Sequence, residues 1–176
     1  MSEVEDLAAA VEEADDVEGA LWELWGSIVA IAARTEPENQ LDLVALVVAL
    51  RERGDVDTVW ELSLWTDLPV LGAQLREAWS WAAPPSTDDD TWLNVNAFTA
   101  RLTASGYDSG MLALWTLDAA VGPEATDADR DAARAWLVLA GDVLRAWSEE
   151  RRSFDGVSDP GYSPQRLDAW RAALLS

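Results

Sequence analysis

The chain has 176 residues and a formal net charge of -21, because 33 Asp and Glu face 12 basic residues, all of them Arg. It contains no Cys, His or Lys, which excludes disulfides, thiolate or imidazole catalysis, lysine Schiff bases and cysteine-type zinc sites. Eleven Trp stand against two Tyr and two Phe, so Trp dominates the aromatic residues.

The negative charge also limits the possible partners. It opposes binding to nucleic acid, where Lys and Arg neutralise phosphates, and to anionic membrane surfaces. Residues 1–16 are acidic, unlike a signal peptide, and the longest apolar run, 43–50, is far shorter than the roughly 20 residues that cross a bilayer. We therefore expect no nucleic-acid or membrane partner and an intracellular, cytoplasmic location.

Apolar residues three or four positions apart recur along the chain, which predicts amphipathic helices. Residues 1–16 suit a short acidic helix, and an apolar stripe predicts a second helix at 17–34. Pro37 fits the first turn of another helix, which Gly54 ends. No segment shows the alternation of apolar and polar residues that is typical of a strand.

The remaining helices are predicted at 71–81, 91–104, 110–120, about 126–152, and from 164 to the end of the chain. A loop rich in Pro and Asp at 82–90 separates the first two of these. Thr126 and Asp129 form a capping box, and Ser163 with Pro164 forms an N-cap and first turn.

About seven or eight helices joined by short loops predict an all-α fold, a single irregular or orthogonal bundle. The length suits one domain spanning 1–176. The sequence leaves open how tightly the acidic N-terminal helix at 1–16 is attached to the rest of that domain.

Four separated pieces of the chain carry a family resemblance. They are residues 21–25 (Leu-Trp-Glu-Leu-Trp); 65–69 (Trp-Thr-Asp-Leu-Pro) with Gly72, Arg76 and Trp79; 92–102, which contains Asn-Val-Asn-Ala-Phe and Ala-Arg-Leu; and Gly161-Tyr162 with Arg166 and Trp170. In this order they resemble an uncharacterised, Trp-rich fungal family known as a domain of unknown function. The resemblance implies an all-helical fold and no particular activity.

Two of these pieces contain polar residues that could form a site. Asp67 precedes a Pro-containing turn, where its carboxylate either accepts hydrogen bonds from free backbone N–H groups or acts as an acid or base. Asn94, Phe98 and Arg101 share one helical face. Arg101 therefore either pairs with an acid across the bundle, which we favour, or holds a ligand carboxylate or phosphate. Asn96 lies off this face, and we expect it to bond a neighbouring loop.

Two Arg-Trp spacings allow stacking of a guanidinium on an indole ring. Arg76 lies three residues before Trp79, and Arg166 lies four before Trp170. We interpret the acidic run 88–90 and the charged run 149–152 as solvated surface, since consecutive carboxylates cannot all face one ion. No metal and no cofactor are predicted.

The many Trp side chains either fill the core or line a pocket for an apolar or cationic ligand, because electron-rich rings in an acidic protein favour cations. The candidate ligand-binding residues are Trp22, Trp25, Trp65, Asp67, Arg76, Asn94, Phe98, Arg101 and Trp136.

Three classes of function remain open. We favour a non-catalytic helical module that binds a small apolar or cationic molecule or a protein partner, since the sequence contains no complete catalytic constellation. The first alternative is an enzyme of the isomerase or cyclase type with carboxylate acid/base chemistry in a Trp-lined cavity, with Asp67 and Glu77 as its acids. The second is a structural or oligomerising protein, which an exposed apolar patch would indicate.

Overall fold

The computed structural model describes residues 3–54, 57–84 and 89–176, apart from the side chain of Asp89. Within these residues the chain forms nine α-helices: α1 (Glu3–Glu12), α2 (Val17–Ala33), α3 (Leu41–Arg51), α4 (Leu71–Ala82), α5 (Asp89–Ala104), α6 (Gly110–Val121), α7 (Asp127–Leu139), α8 (Gly141–Glu149) and α9 (Pro164–Leu174). Two short strands, β1 (Thr58–Val59) and β2 (Leu62–Ser63), pair antiparallel between α3 and α4. The predicted all-helical class is confirmed. None of the described helices is both long and apolar enough to cross a membrane.

The predicted helix starts at Thr126 and Ser163 are present. Thr126 Oγ1 accepts a hydrogen bond from the Asp129 N–H at 3.1 Å, and Asp129 Oδ2 accepts one from the Thr126 N–H at 2.9 Å. Ser163 Oγ accepts from the Arg166 N–H at 3.2 Å, with Pro164 in the first turn. Each cap gives a partner to an N–H group that the first helical turn leaves free.

Helix α5 is the central helix of the bundle. Its residues are buried on every side from Asn94 to Ala100, because α2, α4 and α7 pack around it. A helix in this position must satisfy its polar side chains inside the protein, since water does not reach them.

Helix α1 packs against α2 and α3, and its apolar side chains Ala8 and Val11 are buried in the core. Its last residue, Glu12, accepts a hydrogen bond from the Trp65 indole N–H at 2.8 Å and pairs with Arg53 at 3.0 Å. These contacts attach the acidic N-terminal helix to the rest of the bundle.

The long helix predicted at 126–152 is two helices. Ala140 adopts φ -117° and ψ 17°, which ends α7, and α8 starts at Gly141. Gly has a low helix propensity, so a change of direction costs little there. One uninterrupted helix would continue the apolar stripe of Trp136 through Val143 and Trp147, but beyond this bend Leu144 and Ser148 are buried and Val143 and Trp147 are half-buried.

Two further differences lie between α2 and α4. Pro37 begins a short 3-10 helix (Pro37–Asn39), and α3 starts only at Leu41. The strands β1 and β2 were not predicted, because two residues are too few to show an alternating pattern. Helix α5 begins at Asp89, two residues before the predicted start.

Candidate functional site

One pocket of about 300 Å³ combines cationic, phenolic and apolar side chains. We call it the Tyr107 pocket; it is lined by Gly72, Leu75, Arg76, Tyr107, Asp108, Ser109, Gly110, Met111, Leu112, Trp115, Arg152 and Phe154. Helix α4, the turn before α6, the first turns of α6 and the segment between α8 and α9 each supply part of its wall. The volume is at the lower end of the range of small-molecule sites.

Tyr107 places its hydroxyl beside α4. Gly72 permits this approach, because a Cβ at position 72 would lie 3.0 Å from the hydroxyl oxygen. Burial and the neighbouring Asp108 carboxylate raise the pKa of Tyr107 to about 12, while the charges of Arg51 and Arg76 act in the opposite direction. The hydroxyl therefore stays protonated at neutral pH and can donate a hydrogen bond to a ligand.

Arg152 enters the pocket from the segment between α8 and α9. Its Nη2 donates to Asp108 Oδ2 at 2.5 Å, and its guanidinium carbon lies 4.6 Å and 4.9 Å from the ring centres of Trp147 and Phe154. Asp108 Oδ1 also accepts from the Gly110 N–H at 3.0 Å. Burial tends to raise the pKa of Asp108, but these hydrogen bonds and the Arg152 charge outweigh it and lower that pKa. Asp108 thus orients Arg152 and the start of α6 together.

Positive charge is concentrated at this pocket in a protein of net charge -21. Arg76 and Arg152 line it, and Asp108 is the acid in the lining. No hydrogen bond or ion pair joins the Arg76 side chain to another described residue. At the N-terminus of α6 the Asp108 carboxylate binds the Gly110 N–H, and Ser109 at the N-cap makes no side-chain hydrogen bond to the N–H groups that follow.

Another part of the lining is apolar. Trp115, which is 37% exposed, packs against Trp79 with ring centroids 5.7 Å apart, and Trp79 packs against the buried Trp92 at 5.2 Å. Met111 and Leu75 extend this surface. The pocket can therefore hold an anionic group near its Arg side chains and an apolar body against Trp115.

The structure does not bring the nine predicted ligand-binding residues into one cavity. Four of them are in the core with at most 1% of their surface exposed: Trp25, Trp65, Phe98 and Trp136. A ligand could contact these four only if the core opened. Of the nine, Arg76 lines the Tyr107 pocket, and Trp22 is half-buried elsewhere on the surface.

Polar partners inside the core hold several of the Trp side chains. The Trp136 indole N–H donates to Asn96 Oδ1 at 2.9 Å, and the Thr116 hydroxyl lies 2.9 Å from the same oxygen. The Trp79 indole N–H donates to Thr116 Oγ1 at 3.0 Å. Asn96 therefore links α5 to α6 and α7, and the prediction that it bonds a neighbouring loop is wrong.

Asn94 and Arg101 bind backbone carbonyls. Asn94 Nδ2 donates to the Ala33 backbone oxygen at 3.2 Å, and the Asn94 backbone oxygen accepts from Gln40 Nε2 at 2.8 Å. Arg101 Nη2 donates to the Pro37 oxygen at 2.8 Å, and no described acid forms an ion pair with it. Within the described chain, a bond to the 3-10 turn therefore takes the place of the ion pair predicted for Arg101.

The other predicted polar contacts have mixed outcomes. Asp67 Oδ2 accepts from the Ser63 N–H at 2.8 Å, so its carboxylate binds a backbone N–H as predicted, but that N–H lies in β2 before Asp67 and not in the Pro-containing turn after it. The predicted stacking of Arg76 on Trp79 is wrong, because Trp79 packs against Trp92 and Trp115 instead.

A cluster around Arg166 fastens α9 to α6. Arg166 Nη2 donates to both Asp118 carboxylate oxygens at 2.6 Å, and Nη1 donates to Asp159 Oδ1 at 2.7 Å. The Arg166 guanidinium lies 4.9 Å from the Trp170 ring centre, which confirms the predicted stack, and the Trp170 indole N–H donates to Asp118 at 3.2 Å. Burial raises the pKa of Asp118, Arg166 opposes this, and the nearby Asp159 adds to it.

Among the described residues, the carboxyl with a raised pKa is Asp118 of this cluster. Its bond to Arg166 joins α6 to α9. Asp67 and Glu77, the acids predicted for the enzymatic alternative, are both exposed. Among the described residues, no group of three or more acidic side chains is placed to hold a metal ion. Asp88 and the side chain of Asp89 lie outside the described residues, so the interpretation of the acidic run 88–90 stays a prediction.

The comparison with known families matches most of the chain to one family. A family described as "Protein of unknown function (DUF3632)" matches residues 25–174. This chain is a DUF3632 protein. No curated protein and no solved structure matches it. The DUF3632 description assigns no activity to the family.

The polar lining of the Tyr107 pocket in this DUF3632 protein includes Tyr107, Asp108 and Arg152. None of these three residues belongs to a sequence motif. The charged run 149–152 predicts an exposed face, which is wrong for Arg152, since only 24% of its side chain is exposed. The sequence signal for the pocket was weak: one of only two Tyr, followed directly by an Asp, between two predicted helices.

Proposed function

We propose that this DUF3632 protein is a non-catalytic module that binds a small organic carboxylate with an apolar body in the Tyr107 pocket. The observation that carries the proposal is the convergence of Arg76, Arg152 and the protonated Tyr107 hydroxyl on one apolar-walled pocket. Arg76 has no described partner to compete with a ligand, and guanidinium groups bind carboxylates through paired N–H donors.

Each part of the lining has a separate role in this binding. Arg76 and the Tyr107 hydroxyl hold the carboxylate, while Trp115 and Met111 contact the apolar body. Hydrogen bonds to charged groups contribute about 1.5 to 3 kcal/mol each, and the apolar contact adds about 25 cal/mol per Å² buried. A simple inorganic anion lacks the second contribution, so the pocket favours organic acids.

The charges of the lining favour an anion over the cation expected from the total charge. Most carboxylates of the protein lie outside the pocket, and charges more than about 8 Å away are largely screened at physiological ionic strength. The Arg side chains at the pocket wall act at much shorter range. Asp108, the acid of the lining, is engaged by Arg152 and Gly110 and has a lowered pKa, which is unsuited to a general acid.

Isothermal titration calorimetry with phenylacetate, phenylacetamide and phenethylamine tests the proposal, because the three share one apolar body and differ in charge. We expect phenylacetate to bind at least tenfold more tightly than the amide, a difference of about 1.4 kcal/mol, and the amine not to bind. Arg76→Gln should remove the preference for phenylacetate, and Trp115→Ala should weaken binding of phenylacetate and phenylacetamide alike.

Two surface positions outside the pocket supply matched controls. Arg130→Gln on α7 and Trp81→Ala on α4 should leave phenylacetate binding unchanged. Asp108→Asn should increase the affinity, because it removes the carboxylate that competes for Arg152. Equal affinity for all three compounds, or unchanged binding in Arg76→Gln, would contradict the proposal.

A further inference from the structure

The two-strand unit between α3 and α4 holds non-glycine residues in an unfavourable conformation. We call β1, β2 and the turn between them the Trp60 hairpin, with Val59 facing Leu62 across the strands. The two turn residues, Trp60 and Glu61, have φ of 57° and 62°. A two-residue turn with both φ values positive normally contains Asn or Gly, because other side chains crowd their own backbone there.

Packing behind the hairpin keeps it in this conformation. Leu64 and Trp65 directly follow it, and these two residues and Leu68 are buried. The Ser63 N–H is bound by the Asp67 carboxylate at 2.8 Å. Strained residues persist only where the surrounding structure holds them, and they are concentrated at functional sites.

The result is an exposed apolar surface in a fixed position. Trp60 is 49% exposed and Leu62 is 41% exposed. The ring of Trp60 packs edge-to-face on the half-buried Trp22, with ring centroids 6.2 Å apart. Trp is enriched at the energetic centres of protein interfaces, and a rigid presentation lowers the entropy cost of binding.

Acidic side chains lie beside the residues that form this surface. Glu18 accepts a hydrogen bond from the Trp22 indole N–H at 3.4 Å, and Asp57, Glu61 and Asp67 belong to the hairpin or its flanks; all four are exposed. The sequence has no Arg between Arg53 and Arg76, and Arg53 is already bound to Glu12 at 3.0 Å. The apolar surface therefore has an acidic rim without a basic counterpart in the adjacent sequence.

We propose that the Trp60 hairpin is a docking surface for a basic amphipathic segment of a partner protein. Trp60 and Leu62 contact the apolar face of that segment, and its Lys and Arg side chains pair with the acidic rim. Complementary charge selects this partner class and speeds its approach. A second copy of this chain is disfavoured, since it would bring two acidic rims together. This surface is separate from the Tyr107 pocket.

The test uses a fluorescein-labelled helical peptide built of Leu and Lys, with all Leu on one face, and a scrambled peptide of the same composition. Fluorescence anisotropy at physiological ionic strength measures their affinities for the full chain. We expect the amphipathic peptide to bind roughly tenfold more tightly than the scrambled one. Trp60→Asn and, independently, Leu62→Thr should abolish that difference.

Trp60→Asn is chosen because Asn tolerates positive φ, so the fold is retained while the indole is lost. Thermal unfolding verifies this, and Leu62→Thr provides a second variant suited to a strand. The control Trp81→Ala removes a similarly exposed Trp on α4 and should bind like the unmodified chain.

Three results would overturn the proposal. The first is full binding by both hairpin variants, and the second is equal binding of the scrambled peptide, which indicates charge attraction alone. The third is a dimer in sedimentation velocity that Trp60→Asn dissociates, which would assign the hairpin to self-association. Phenylacetate binding in the same variants reports on the Tyr107 pocket separately, so failure of one proposal does not affect the other.

Discussion

At the scale of single residues, one buried amide oxygen serves two helices. Asn96 Oδ1 accepts from the Trp136 indole N–H on α7 and lies within hydrogen-bond distance of the Thr116 hydroxyl on α6. Both of these buried polar groups therefore have a hydrogen-bond partner. Trp25 and Trp92 differ, because their buried indole N–H groups have no hydrogen-bond partner in the described part of the chain. Some buried Trp residues therefore have a hydrogen-bond partner for the indole N–H, and others do not.

Replacing Asn96 with Ala leaves the Trp136 N–H unpaired and opens a small cavity. We expect Asn96→Ala to lower the free energy of unfolding by about 3 kcal/mol, since one unsatisfied buried group costs about 1 to 3 kcal/mol and the cavity adds to it. Urea denaturation followed by Trp fluorescence measures this change. Asn39→Ala, exposed in the 3-10 turn, should change stability by less than about 0.5 kcal/mol. Equal effects of the two substitutions would refute the role assigned to Asn96.

At the scale of elements, the segment between α8 and α9 connects the Tyr107 pocket to the Arg166 cluster. The Arg152 carbonyl accepts from the Tyr162 N–H at 2.7 Å, and the Tyr162 hydroxyl donates to the Gly110 oxygen at 2.5 Å. The chain at Gly161 passes directly against the Arg152 backbone with φ of 76°. Glycine allows both this close approach and this backbone conformation. Gly161 and Tyr162 therefore support the pocket from behind.

Two glycines in this segment separate the cost of backbone conformation from the cost of close packing. Gly156 has φ of 73°, and a Cβ added there would meet nothing within 4 Å, whereas a Cβ at Gly161 would lie 2.2 Å from the Arg152 oxygen. We expect Gly156→Ala to cost about 1 kcal/mol, from the positive φ alone, and Gly161→Ala about 3 kcal/mol or more. Chemical denaturation of both variants tests this; similar losses would show that the segment shifts to accommodate the methyl group.

At the scale of the whole molecule, the charge balance sets the response to pH. The pKa of Asp108 is lowered, and so is that of Asp159. Burial alone would raise the pKa of Asp159, but hydrogen bonds from Arg166 and from the Gly161 N–H have the larger effect and lower it. A carboxyl whose pKa is lower in the folded chain than in the unfolded chain stabilises the fold at pH values above its unfolded-state pKa. This contribution is lost as the pH falls through its folded-state pKa. Asp118, with a raised pKa, acts in the opposite sense.

We expect stability to stay nearly constant from pH 8 to about 6, because the chain has no His or Cys to titrate there, and to rise modestly towards pH 5 as the first exposed carboxylates gain protons and the self-repulsion of a chain with net charge -21 falls. Below about pH 4 it should fall as Asp108 and Asp159 gain protons. Urea midpoints measured across this range test both limbs. Asp108→Asn should make the acid limb shallower, and Asp142→Asn, at an exposed carboxylate on α8, should not. A midpoint that continues to rise below pH 4 would contradict the expected role of these ion pairs.

Much of the helical framework could be predicted from local sequence. The caps at Thr126 and Ser163 and the backbone hydrogen bond of the Asp67 carboxylate depend on residues within a few positions of each other, so they are readable in one dimension. The bend at Ala140 could not be predicted, because Gly141 permits a change of helix direction without requiring one. The Tyr107 pocket could not be predicted either, since residues 72, 107 and 152 meet only when three elements pack together.

The sequence by itself determined the all-helical class, the DUF3632 membership and the absence of Cys, His and Lys chemistry, because composition, periodicity and ordered motifs are properties of the chain. Only the tertiary structure decided where the charges and aromatic rings act. It buried Trp25, Trp65 and Trp136 and left Trp60 exposed, and it gathered Arg76 and Arg152 at one pocket of an acidic protein. The physical reason is that burial and local electrostatics depend on distances between residues far apart in sequence.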